Sequence, residues 1–238
     1  MDKYISGSAR LADIIMKHER LLLVIERFGI RLGFGDRSIR EVCLANGVNE
    51  ALALAVMNLF IRQPIPPDIH LDTGILSGLM DYLRNAHRYF LEEKLPYISE
   101  LIDRFISHTE NPDTRLLQQF FKGYEREVDE HMRLENSTVF PYVKALLYKD
   151  SGQPHDHAAL KYSIADFEAH HSDIEEKLED LTHLLIKHFP PTKDRFYRNL
   201  ILLELFELQY DLNDHGKIED HILTPLVKQL EDRHINEK

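Results

Sequence analysis

Apolar residues recur every three or four positions along four long stretches of the chain, roughly 74–108, 114–149, 157–189 and 193–233, and this spacing predicts amphipathic helices. Each stretch is closed by helix breakers. Asn111-Pro112-Asp113-Thr114 divides the first two, Asp150-Ser151-Gly152-Gln153-Pro154 the next two and Pro190-Pro191-Thr192 the last two. Short connections between helices of similar length favour antiparallel neighbours, so residues 74–238 are expected to form an up-down-up-down four-helix bundle. Residues 1–62 read as a small helical domain of short helices, interrupted by Gly29-Ile30-Arg31-Leu32-Gly33-Phe34-Gly35 and by Asn46-Gly47. Between the two lies a Pro-rich linker, 63–73, in which Pro64, Pro66 and Pro67 forbid a continuous helix. The fold class is all-α.

Tracing each apolar stripe shows where polar residues interrupt it. The second long helix runs Leu117, Phe121, Tyr124, Val128, His131, Glu135, Val139, Tyr142, Leu146. The fourth runs Ile201, Leu205, Leu208, Leu212, His215, Glu219, Ile222, Leu226 and repeats the His-x-x-x-Glu pair. His87 interrupts the first stripe, Leu76, Met80, Leu83, Phe90. In the third stripe, Ile164, Phe167, Ile174, Leu178, the core position falls to His171, while its neighbour His170 points about 100° away around the helix. One core histidine is ordinarily a hydrogen-bonded packing residue. Two carboxylates in a dry core are different, because each costs several kcal/mol unless a cation compensates it or the imidazoles pair with it.

Measured from the connecting turns at about 1.5 Å per residue, the six positions lie within a couple of helical turns of one plane. His108 would lie about 31 Å from His87 on a continuous helix, which gives it an outer place. Imidazoles and carboxylates together suit Fe(II), Fe(III), Mn or Zn, and two glutamates from two helices suggest bridging of two cations. Tyr124 and Tyr210 are candidates to hydrogen-bond a bound ligand, with plain packing as the alternative, and Lys94 is expected to snorkel to solvent.

Composition narrows the partners. Fourteen histidines supply the ligands, and a formal charge of −11 gives no broad basic field, so neither nucleic acid nor an anionic membrane is an expected partner. The start of the chain lacks a secretory pattern and no apolar run is long enough to span a bilayer, which reads as cytoplasmic. The single Cys43 excludes thiolate sites that need several cysteines and is expected to be a buried structural thiol.

His87, then His131-Met132-Arg133-Leu134-Glu135 followed by Val139-Phe140-Pro141, then His171, then His215-Gly216-Lys217-Ile218-Glu219 followed by Leu223-Thr224-Pro225, resembles the hemerythrin-like domain of bacterial repair-of-iron-centres proteins. The resemblance covers about 74–233. It implies two non-haem iron ions, carboxylate- and oxo- or hydroxo-bridged, on His87, His131, Glu135, His171, His215 and Glu219. It further implies repair of iron–sulfur clusters damaged by nitric oxide or oxidative stress, with damaged iron–sulfur proteins and a small diatomic ligand, O2 or NO, as partners, and it allows a homodimer. The alternative readings are an oxygen or nitric-oxide sensor or carrier on the same di-iron site, and a scaffold without metal. Phe28-Gly29-Ile30-Arg31, Ser38-Ile39-Arg40-Glu41-Val42-Cys43 and Gly47-Val48-Asn49 are similar to that family's preceding domain, but Gly33-Phe34 stands where the family places two adjacent cysteines.

Overall fold

A computed structural model describes residues 4–108, 113–170, 174–189 and 195–236. The described residues are helical apart from turns and one isolated antiparallel bridge between Arg10 and Ser38. Two compact units divide the chain: one comprises Met1–Ala86, Phe140–Ile164 and Asp214–Lys238, the other His87–Val139 and Ala165–Asn213.

In the first unit four short helices, α1 (Leu11–Ile15), α2 (Leu21–Arg27), α3 (Ile39–Asn46) and α4 (Glu50–Phe60), form early in the chain. Local sequence dictates the ends of α3. Ser38 and Glu41 make a reciprocal capping box, with Glu41 Oε2 accepting from the Ser38 N–H at 2.8 Å, and Gly47 closes the helix in the left-handed region at φ 66°. Helix α4 is buried from Leu52 to Phe60, including the polar Asn58. That amide is satisfied by backbone: it accepts from the Ile5 N–H at 2.9 Å and donates to Ile5 O at 3.2 Å and Leu54 O at 2.8 Å, tying the start of the chain to α4. Cys43 is 1% exposed and burial pushes its thiol up to about 11, which makes it an inert packing residue.

Among the described residues three of the long helices contain a π-turn. Helix α5 (Leu76–Tyr89) passes through Phe90–Lys94 into α6 (Leu95–Ser107); α7 (Asp113–Leu134) passes through Glu135–Val139 into α8 (Phe140–Asp150). After α9 (Ile164–His170) and α10 (Ile174–Lys187), α11 (Arg195–Ile218) passes through Glu219–Leu223 into α12 (Thr224–Asn236). Pro96, Pro141 and Pro225 are each the second residue of the α-helix that follows. A proline offers no N–H to the carbonyl four residues back and its ring crowds that carbonyl. Widening the preceding turn by one residue relieves both problems and lets the helix continue.

The third long helix starts at Ile164, later than the expected 157, after a short 3₁₀ turn at Ala159–Lys161. Glu231 of α12 fixes that start, because its Oε1 accepts from the Ile164 N–H at 2.9 Å and also from the Tyr142 hydroxyl. In the second unit α7 packs against α6 and α10. Its core holds Phe105, Phe121, Val128, Leu181 and Leu205, all buried. Lys94 does not reach into solvent as expected. Its side chain is 11% exposed and Nζ lies 2.5 Å from Glu204 Oε2 of α11, because a π-turn residue facing α11 meets a carboxylate before it meets water.

Candidate metal centre

In the second unit the last turn of α5 presents His87 and the last turn of α7 presents His131, with Glu135 opening the π-turn that follows. Residues four apart share a helix face, so His131 and Glu135 meet by local geometry alone. His131 Nε2 lies 2.7 Å from Glu135 Oε1, and His87 Nε2, from a different helix, lies 3.0 Å from Glu135 Oε2. The carboxylate and His87 are each 1% exposed and His131 11%. Each oxygen of Glu135 thus faces an imidazole nitrogen, one from its own helix and one from another. Burial works to raise its pKa, but the imidazoles of His131 and His87 outweigh that effect and hold Glu135 well below the ordinary 4.5.

The first unit repeats the local arrangement. His215 at the end of α11 and Glu219, first residue of the next π-turn, are buried, with Nε2 and Oε1 3.1 Å apart. His87, Glu135, His215 and Glu219 are all buried, and each offers one imidazole nitrogen or carboxylate oxygen of the kind that holds a metal ion. His171 lies outside the described residues.

Two carboxylates, Glu135 and Glu219, are buried beside imidazole nitrogens, and buried charge is kept where something of opposite charge can meet it. A cation supplies that charge, and the nitrogen and oxygen donors are the types that iron, manganese and zinc accept. The residues present therefore fit a metal.

Tyr124 is buried and Tyr210 is 43% exposed. His108 is an exposed residue capping α6, its Nδ1 2.7 Å from Arg104 O and its ring 5.2 Å from that of Tyr197. Gly33 has φ 98°, a conformation suited to glycine and strained for a cysteine. Sequence reasoning missed Asn136, whose Oδ1 lies 3.1 Å from His87 Nδ1. It also missed Arg20, whose Nη1 lies 2.8 Å from Oδ2 of Asp214, the residue before His215. Nothing local marks either pair. The downstream prolines were visible, and they were the signal for the π-turns.

Among the described residues no helix is long and apolar enough to cross a membrane. Comparison with known proteins matches residues 78–227 to the family described as hemerythrin HHE cation binding domain. The iron–sulfur cluster repair protein ScdA of Staphylococcus haemolyticus (strain JCSC1435) is similar to this chain, 24% identical over 149 residues. The match covers 61% of this chain and 64% of that protein, under two thirds of its length.

Proposed function

Because the chain belongs to the hemerythrin HHE family, whose match at 78–227 takes in all six candidate ligands, we propose that it is a di-iron protein that repairs damaged iron–sulfur clusters. In this reading His87, His131, Glu135, His171, His215 and Glu219 are the residues that would hold the two irons. The observation that carries it is the Glu135 carboxylate, 1% exposed, with imidazole nitrogens from two different helices at 2.7 and 3.0 Å.

Each residue has a task. Glu135 and Glu219 supply negative charge at the start of a π-turn, where the backbone holds them inside the bundle. The imidazoles direct Nε2 toward these carboxylates, so nitrogen and oxygen donors would together hold a cation there. Bound iron supplies one-electron redox chemistry and open positions for a diatomic ligand such as O2 or NO. Phe90, Val128 and Val139, close to His87, His131 and Glu135 along the chain, are fully buried. The same reading has a small helical domain at 1–62, a linker at 63–73, the bundle at 74–238, a cytoplasmic setting and a homodimer, with damaged iron–sulfur proteins as partners; the similarity to ScdA supports the repair part.

The test is metal content per chain, with Glu135→Ala and Glu219→Ala alongside, followed by reactivation of a nitric-oxide-damaged iron–sulfur enzyme. Two irons lost in both variants, and reactivation by the wild type alone, support the proposal. Absence of metal after expression with ample iron sinks it. One observation favours a second reading, a diatomic sensor or carrier. The chain has glycine at Gly33 with φ 98°, and its Cys43 is buried with a thiol pushed up to about 11, so the N-terminal segment offers no reactive thiol for a repair step. Diatomic binding without reactivation decides for that reading.

A further inference from the structure

His87 is gripped at both ring nitrogens by two consecutive residues. Glu135 Oε2 stands 3.0 Å from Nε2, and Asn136 Oδ1 stands 3.1 Å from Nδ1. Both residues lie in the π-turn Glu135–Val139, where each residue rotates the chain less than in an α-helix, so neighbouring side chains diverge less. An amide oxygen only accepts, so the hydrogen of this pair sits on Nδ1. With Nδ1 carrying its hydrogen, Nε2 is the nitrogen that would offer its lone pair to a cation beside Glu135.

We propose that Asn136 is a positioning residue for the metal centre: its side-chain oxygen holds the hydrogen on His87 Nδ1 and fixes the ring plane, so that Nε2 is presented to a cation beside Glu135. The inference rests on the metal reading above and goes beyond it in naming the group that prepares this ligand. Metal-bound imidazoles generally need such a partner on the other nitrogen. His131 shares a helix face with Glu135, whereas His87 comes from another helix and meets Glu135 and Asn136 across the packing, so its ring is oriented by residues outside its own turn.

The test uses the full chain labelled with ¹⁵N-histidine, Zn(II) as a diamagnetic probe, and the variants Asn136→Leu and Asn136→Asp. Leucine keeps the volume and removes the acceptor; aspartate keeps the acceptor. In wild type the Nδ1–H of His87, assigned through His87→Gln, is expected to be protected from exchange with and without zinc. Asn136→Leu should lose that protection and bind zinc about 10- to 100-fold more weakly. Asn136→Asp should restore both while the melting temperatures of all three remain close. Zinc affinity and Nδ1–H protection unchanged in Asn136→Leu overturn the proposal, as does an Asn136→Asp variant no better than leucine. A wild-type chain that protects Nδ1–H yet takes up no zinc fails on the metal reading instead, and the positioning role falls with it.

Discussion

Replacing Glu135 by leucine separates a carboxylate kept for a cation from one kept for its histidines. Two imidazole contacts, at 2.7 and 3.0 Å, are lost. Hydrogen bonds to a charged group contribute about 1.5–3 kcal/mol each, so roughly 3–6 kcal/mol of attraction disappears. Against this, burying a carboxylate costs several kcal/mol, and leucine of similar volume removes that cost. The two nearly cancel. In the metal-free protein Glu135→Leu is therefore expected to shift unfolding by no more than about 2 kcal/mol in either direction, or under roughly 8 °C for a chain of this size. With metal the comparison changes, because a cation at 1,000 times its dissociation constant adds about 4 kcal/mol to the wild type. That corresponds to a rise of roughly 8–16 °C, which the variant should not show. The assay is urea and thermal unfolding under chelator and under excess Fe(II) without oxygen. A variant that loses about 4 kcal/mol or more without metal, beside a wild type that gains nothing from iron, would refute the reasoning and make the carboxylate a structural partner of the imidazoles.

Glu135 also sets a pH dependence. A carboxylate whose folded pKa lies well below 4.5 stabilises the fold above its unfolded value and loses that contribution as pH falls through the folded one. Metal-free wild type should thus lose stability below about pH 4.5 with a steeper slope than Glu135→Gln, measured by denaturant midpoints across that range. If Pro141 sustains the π-turn at Glu135–Val139, Pro141→Ala should keep the helical circular dichroism yet weaken metal binding about tenfold, whereas Pro96→Ala, beside a turn with no proposed ligand, should leave binding unchanged. Cys43 should react with a thiol reagent at pH 8 only after denaturant is added, since its thiol is pushed up to about 11; prompt reaction of the folded chain contradicts its burial.

Helical periodicity is a property of neighbouring residues, and whatever depends on it was legible in the amino-acid order. The stripes give the long helices, the breakers give most of their ends, and a spacing of four puts His131 with Glu135 and His215 with Glu219 on shared faces, as the distances of 2.7 and 3.1 Å show. The capping box at Ser38 and Glu41 and the glycine end at Gly47 are local in the same sense. The prolines at 96, 141 and 225 announced a disturbance without its kind. Kink, break and π-turn are all answers to a missing N–H, and packing of the residues on both sides selects the one that keeps the helix running. Pairing across large sequence separations was hidden altogether. Asn136 meets His87, Lys94 meets Glu204, Arg20 meets Asp214 and Glu231 holds the start of α9 at Ile164. No periodicity relates such partners; they meet because helices distant in the chain pack together, and a polar side chain arriving in that packing takes whichever donor or acceptor is already there.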